Sequence, residues 1–209
     1  MGVREATAAD LRGQPAAERR QALVLFAELR NFTRMSEMLE PQRVLELASE
    51  FFALAARAAE SSGGESAGLH NDTLVAGFRR GSPAQICQQG VRAAQQIQRE
   101  FGLLADSWEK QFGLRTAVAM GLHLGETVFG ASGSAGRQQF VAFGDTVSVA
   151  NRLLHRARAG EFVLSDSVLG ALGAANLHLE AEALPPLELA RRPAIRIYGV
   201  LLDTRLDFT

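Results

Sequence analysis

Two apolar runs, LVLFAELRNF at 23–32 and HNDTLVAGF at 70–78, restrict what this chain can fold into more than any other feature. Each has the short apolar pattern of a strand and carries one carboxylate where the strand should end, Glu28 in the first and Asp72 in the second. Either acid alone also suits a turn or a helix start. Brought to one place, the two have the chemistry to hold a divalent metal.

The stretch between the runs sets how they meet. Asn31 to Ser36 supplies polar residues of the kind that begin helices, and Pro41 suits a first helical turn. Val44, Ala48, Phe51, Phe52 and Ala55 recur at helical spacing, which predicts a helix over 41–61 ended by Ser61-Ser62-Gly63-Gly64. Two short strands joined through Asn71-Asp72 follow. A second helix is predicted over 83–101 from Ile86, Ala93, Ala94, Ile97 and Phe101, and a strand over 114–123. Strand, helix, strand, strand, helix, strand is the order of a ferredoxin-like βαββαβ unit. In such a unit two helices cover one face of an antiparallel sheet and leave the other for a partner, of which a second subunit is the simplest.

The remainder extends that unit. Gly125, Gly130, Gly133 and Gly136 fall among apolar residues, as in a strand pair that approaches another backbone or a ligand closely; the spacing fits neither the Walker pattern nor GxGxxG. Asp145 and Thr146 mark the start of a helix in VSVANRLLHRA. Arg152, two turns in, suits either a phosphate contact or a surface ion pair. Ser165 and Asp166 open another helix, and a hairpin closes the chain with Leu187 and Leu189 on one arm and Ile195, Ile197 and Val200 on the other.

Composition narrows the partners. With 209 residues and 47% hydrophobic content, the chain has enough apolar surface for one large core. Residues 1–20 read as a linker or weak helix, 21–202 as the domain, and 203–209 as a tail. A net charge of −1 argues against a general nucleic-acid or membrane surface, so any anion must be held locally. No apolar run nears the roughly 20 residues of a membrane span, and no secretory signal opens the chain. The lone Cys87 has no disulfide partner and reads as a helix core residue. These features point to a cytoplasmic chain. Histidines 70, 123, 155 and 178 are too widely spaced for a zinc site.

Five ordered blocks carry a resemblance: LFAELRNFT; Gly63-Gly64 followed by NDTLVAGF; GLHLGETVFGASG; FGDTVSVANRL with AGEFVLS; and LELARRPAIRIYGV. Over 21–202 the chain resembles the catalytic domain of class III nucleotidyl cyclases, the adenylate and guanylate cyclases. The resemblance implies an α+β fold with a ferredoxin-like βαββαβ core and a C-terminal hairpin. It also implies a head-to-tail homodimer or heterodimer with sites at the interface, converting ATP or GTP into the 3′,5′-cyclic monophosphate and pyrophosphate. In that family two carboxylates hold two Mg²⁺ (or Mn²⁺) ions, a lysine and an Asp or Thr read the base, and an Asn and an Arg steady the ribose and the transition state.

Transferred position by position, Asp72 takes the second metal position and Arg152 the arginine. Glu28 stands where the family has Asp, one methylene longer, which matters to an ion as exacting as Mg²⁺. Gly68 holds the lysine position, Val141 the Asp or Thr position, and Ser148 the asparagine position. Phe32 is assigned to the nucleotide pocket. The metal side of the site is therefore kept while the base-reading side is largely lost. The resemblance implies weak or partner-dependent turnover, or a degenerate domain that binds and regulates.

Overall fold

The computed structural model describes residues 18–70, 72–132, 139–190 and 192–201. Strand β1 (Glu18–Arg30) leads into a short helix α1 (Phe32–Met38) and the longer α2 (Pro41–Ser61). Strands β2 (Glu65–His70) and β3 (Thr73–Phe78) form a hairpin, α3 (Pro83–Phe112) crosses back, and β4 (Ala117–Ser132) completes the unit. Then come β5 (Gln139–Phe143), α4 (Asp145–Leu154), β6 (Glu161–Ser165), α5 (Asp166–Gly173), β7 (Glu182–Leu187) and β8 (Ile195–Leu201). The strands lie in the order β2-β3-β1-β4-β6-β8-β7, with β5 paired to β4. The βαββαβ core is as the sequence predicts, and so is the closing hairpin, except that β7 ends at Leu187 and Leu189 lies past it.

Side chains alternate across a strand, so β1 feeds two cores. Leu23, Leu25, Ala27 and Leu29 meet α2 and α3, where Phe51, Phe101 and Trp108 stack edge to tilted edge. Each such fully buried side chain contributes roughly 1.5–3 kcal/mol. Val24 and Phe26 point the other way and meet Val149, Ala150, Leu153 and Leu154 of α4.

Four expectations need correction. The sheet face opposite α2 and α3 is not left bare, because α4 packs on it. Gly121 makes this possible: a Cβ there would lie 2.3 Å from the Ala150 carbonyl oxygen. The sheet is not wholly antiparallel, since β6 runs parallel to β4. Residues 18–20 belong to β1 rather than to a linker. The first strand ends at Arg30, and Phe32 opens α1. Asn31 makes that bend by adopting φ 64°, a left-handed conformation asparagine tolerates, while its amide donates to the Arg115 carbonyl at 2.9 Å. Gly133, Gly136, Asn71, residues 1–17 and the tail 203–209 lie outside the described residues.

Helix α3 runs eleven residues past its predicted end at Phe101. The extension seats Trp108, 1% exposed, whose indole N–H donates to Glu50 of α2 at 3.1 Å. Cys87 is fully buried in α3, and burial pushes its thiol up to about 12, so it stays a core residue rather than a thiolate nucleophile.

Candidate active site

Register sets the backbones of the two acids one step apart. Glu28 faces Thr73 across β1 and β3, and the Leu29 N–H donates to the Asp72 carbonyl at 3.0 Å, so the ladder continues one step past β3 with Asp72 opposite Leu29. The Asp72 carboxylate accepts from the Thr73 hydroxyl at 3.3 Å. Glu28 is on the α4 side of the sheet, following Val24 and Phe26 by strand parity, and its side chain is 14% exposed.

Arg30 shares that parity. Its guanidinium forms a close ion pair with Glu28 and donates twice more, to the Leu154 carbonyl at 3.0 Å and the Ala157 carbonyl at 3.1 Å. The first of those oxygens ends α4 and also accepts from the Ala157 N–H at 3.1 Å, while the second lies three residues past the helix; the negative end of the helix dipole favours a cation there. The sequence reading passes over Arg30. The available signal was its i+2 spacing from Glu28 in a strand, but the carbonyls that hold it come from residues 124 and 127 positions further on.

The remaining candidates divide between two places. Ser148 and Arg152, four residues apart, are both exposed on α4 and share one helix face. Gly68 lies in β2 opposite Val75, just past a bulge, and Val141 lies in β5 opposite Gly130; β2 and β5 approach one another. Phe32 is half-buried and packs against the α2–α3 core. At the start of α4, Gly144 is the cap; Asp145 pairs with Arg192, and Thr146 donates to the Glu126 carbonyl.

Hard carboxylate oxygens suit Mg²⁺ or Mn²⁺, and the two adjacent acids fit the edge of such a site. Among the described residues no group of three or more His, Cys, Asp or Glu side chains converges as a metal cage. Water and nucleotide phosphates would have to fill most of the coordination sphere. Among the described residues Asp72 is engaged by its neighbour's hydroxyl, whereas Glu28 has a cation against it.

A mixed sheet with a ferredoxin-like core extended by a closing hairpin is the architecture of a nucleotide cyclase type of domain. Residues 15–198 match the family described as the adenylate and guanylate cyclase catalytic domain, and the chain belongs to this class III family. It is 31% identical over 152 residues to adenylate cyclase 1 of Rhizobium meliloti (strain 1021), covering 68% of this chain and 21% of that protein. It is 29% identical over 142 residues to an adenylate cyclase of Anabaena cylindrica, covering 66% and 28% respectively. The chain thus spans well under half of these relatives. The fold is shared with the adenylyl cyclase CyaB of P. aeruginosa, at a TM-score of 0.80 and 20% identity over 93% of this chain and all of that one. The guanylyl cyclase Cya2 aligns at 0.75 and 22%, over 88% and 92%. Among the described residues no helix is long and apolar enough to cross a membrane.

Proposed function

We propose that this chain is the metal-donating half of a purine nucleotide cyclase, slow as a homodimer and fast beside a domain that supplies the missing base readers. The observation that supports this reading is the β1–β3 register, which pairs Glu28 with Thr73 and continues with Leu29 bonded to Asp72, so the two acids stand one step apart along the ladder. Two similar folds bear on the substrate class and on self-association: the guanylate cyclase domain of Catenaria anguillulae in complex with GTP and the non-canonical dimeric guanylyl cyclase domain from Blastocladiella emersonii, each at a TM-score of 0.75.

In the reaction, the ribose 3′-oxygen bonds to the α-phosphorus and the bond to the bridging oxygen of the β-phosphate breaks. Pyrophosphate leaves with that electron pair, and the hydroxyl proton passes to water. A bound Mg²⁺ or Mn²⁺ supplies acidification of the 3′-hydroxyl and neutralisation of charge at phosphorus. The residues of this chain orient and stabilise. Asp72 would hold the cation with Glu28 adding only its negative field nearby, Arg152 donates to the crowded phosphate oxygens, and the Ser148 hydroxyl reaches toward the ribose.

Gly68, Val141 and Ser148 favour a second reading, a degenerate domain that dimerises and regulates without turnover. Each lost hydrogen-bonding group costs about 2–4 kcal/mol in such sites, so two or three losses lower the rate by several orders of magnitude. Assays with ATP and GTP, each with Mg²⁺ and Mn²⁺, separate the two. The cyclase reading expects slow cyclic nucleotide formation that Asp72→Ala abolishes. A flat baseline at high protein for all four combinations, alone and with an active partner domain, selects the regulatory module.

A further inference from the structure

We infer that Arg30 takes the place of one of the two cations the resemblance implies, so that this site accepts a single divalent ion, held by Asp72. The inference rests on the cyclase reading of the carboxylate pair and specifies how that pair is used. Three contacts carry it. The guanidinium lies against one Glu28 oxygen, and its other terminal nitrogen is tied to two carbonyls, one at the end of α4 and one three residues past it. The pair is shielded, with side-chain exposures of 27% for Arg30 and 14% for Glu28, so it is not a solvated surface contact.

The longer acid belongs to this arrangement. Glutamate carries its carboxylate one methylene further from β1 than aspartate does, and here that carboxylate is engaged by a side chain two residues on. Displacing Arg30 from Glu28 leaves a cation whose remaining partners are neutral carbonyls; withdrawing it altogether also takes one hydrogen bond from each of the Leu154 and Ala157 oxygens. With Arg30 counted, Glu28, Asp72 and Arg30 together carry a formal charge of −1 instead of −2. One divalent ion suits that charge better than two.

The test counts Mn²⁺ bound to the full chain by electron paramagnetic resonance, with Mn²⁺ alone and again with α,β-methylene-ATP or α,β-methylene-GTP. Wild type should bind one ion per chain and Asp72→Ala none. Glu28→Gln should keep that ion with affinity within about threefold, because only a screened field is lost. Arg30→Gln should gain a second ion or bind at least about tenfold tighter, since a contacting positive charge is gone. Arg30→Lys should behave as wild type. If Arg30→Gln does not fold, as judged by its thermal transition, Glu28→Gln decides: a tenfold loss of affinity overturns the inference. Two ions on the wild type overturn the inference and leave the cyclase reading standing. No Mn²⁺ on any variant overturns both.

Discussion

His123 shows how a single residue takes its chemistry from its surroundings. It points to the α4 side of β4, and its Nδ1 lies 2.7 Å from the Ser165 hydroxyl, which in turn meets Ser167 at 2.9 Å; Ser167 donates to the Leu124 carbonyl. Burial lowers the imidazole from 6.5 to about 4, against the upward pull of Asp145 and with a further push down from Arg192; Asp166 pulls weakly up. The unfolded chain therefore takes up a proton near pH 6.5 that the folded chain refuses until about pH 4. The stability that comes from sheltering a neutral ring is complete above pH 6.5 and declines as pH falls toward 4. Urea midpoints measured from pH 7 to 5 should drop for the wild type and drop less for His123→Asn. Parallel curves would mean the ring is not sheltered. Nothing in the sequence marked this histidine, because its shelter comes from β6 and α5, more than forty residues away.

Among the elements, α3 departs most from what periodicity predicts. The apolar spacing predicts an end at Phe101, yet the helix continues through Gly102 to Phe112 and stops at Gly113, which adopts φ 66°. Burying Trp108 against Phe101 and tying it to Glu50 offsets a mid-helix glycine, which costs about 1 kcal/mol relative to alanine. Gly102 is exposed, and a Cβ there would meet nothing within 4 Å. Gly102→Ala should accordingly raise the unfolding free energy by about 0.5–1 kcal/mol. A fall in the denaturation midpoint would show that α3 needs the glycine. By contrast α2, with a clear apolar stripe, a proline at its start and glycines at its end, was legible to the residue.

At the scale of the whole molecule, the surface left for a second subunit is not the bare sheet face that the βαββαβ order predicts. It is narrowed by α4, which presents Ser148 and Arg152 outward, with Phe143 beside it 61% exposed. Gly68→Lys, Val141→Asp and Ser148→Asn made together should raise nucleotide turnover by at least about a hundredfold if the scaffold is sound and only its readers are missing. The assay is product formation by the purified chain, with its dimer fraction measured by analytical ultracentrifugation. A triple variant that dimerises and still turns over nothing would locate the defect in the metal edge instead.

What the sequence determined alone was local and periodic: the strand and helix order, the βαββαβ core, the closing hairpin, and the two acids at strand ends. Alternation and helical spacing are written residue by residue, so they can be read without coordinates. What only the tertiary structure decided depends on segments far apart in the chain. These are the seating of α4 over Gly121, the parallel pairing of β6 with β4, the continuation of α3 under Trp108, and the capture of Arg30 between Glu28 and the end of α4. Each arises where two distant backbones come within hydrogen-bonding or van der Waals reach, and local pattern carries no record of that distance.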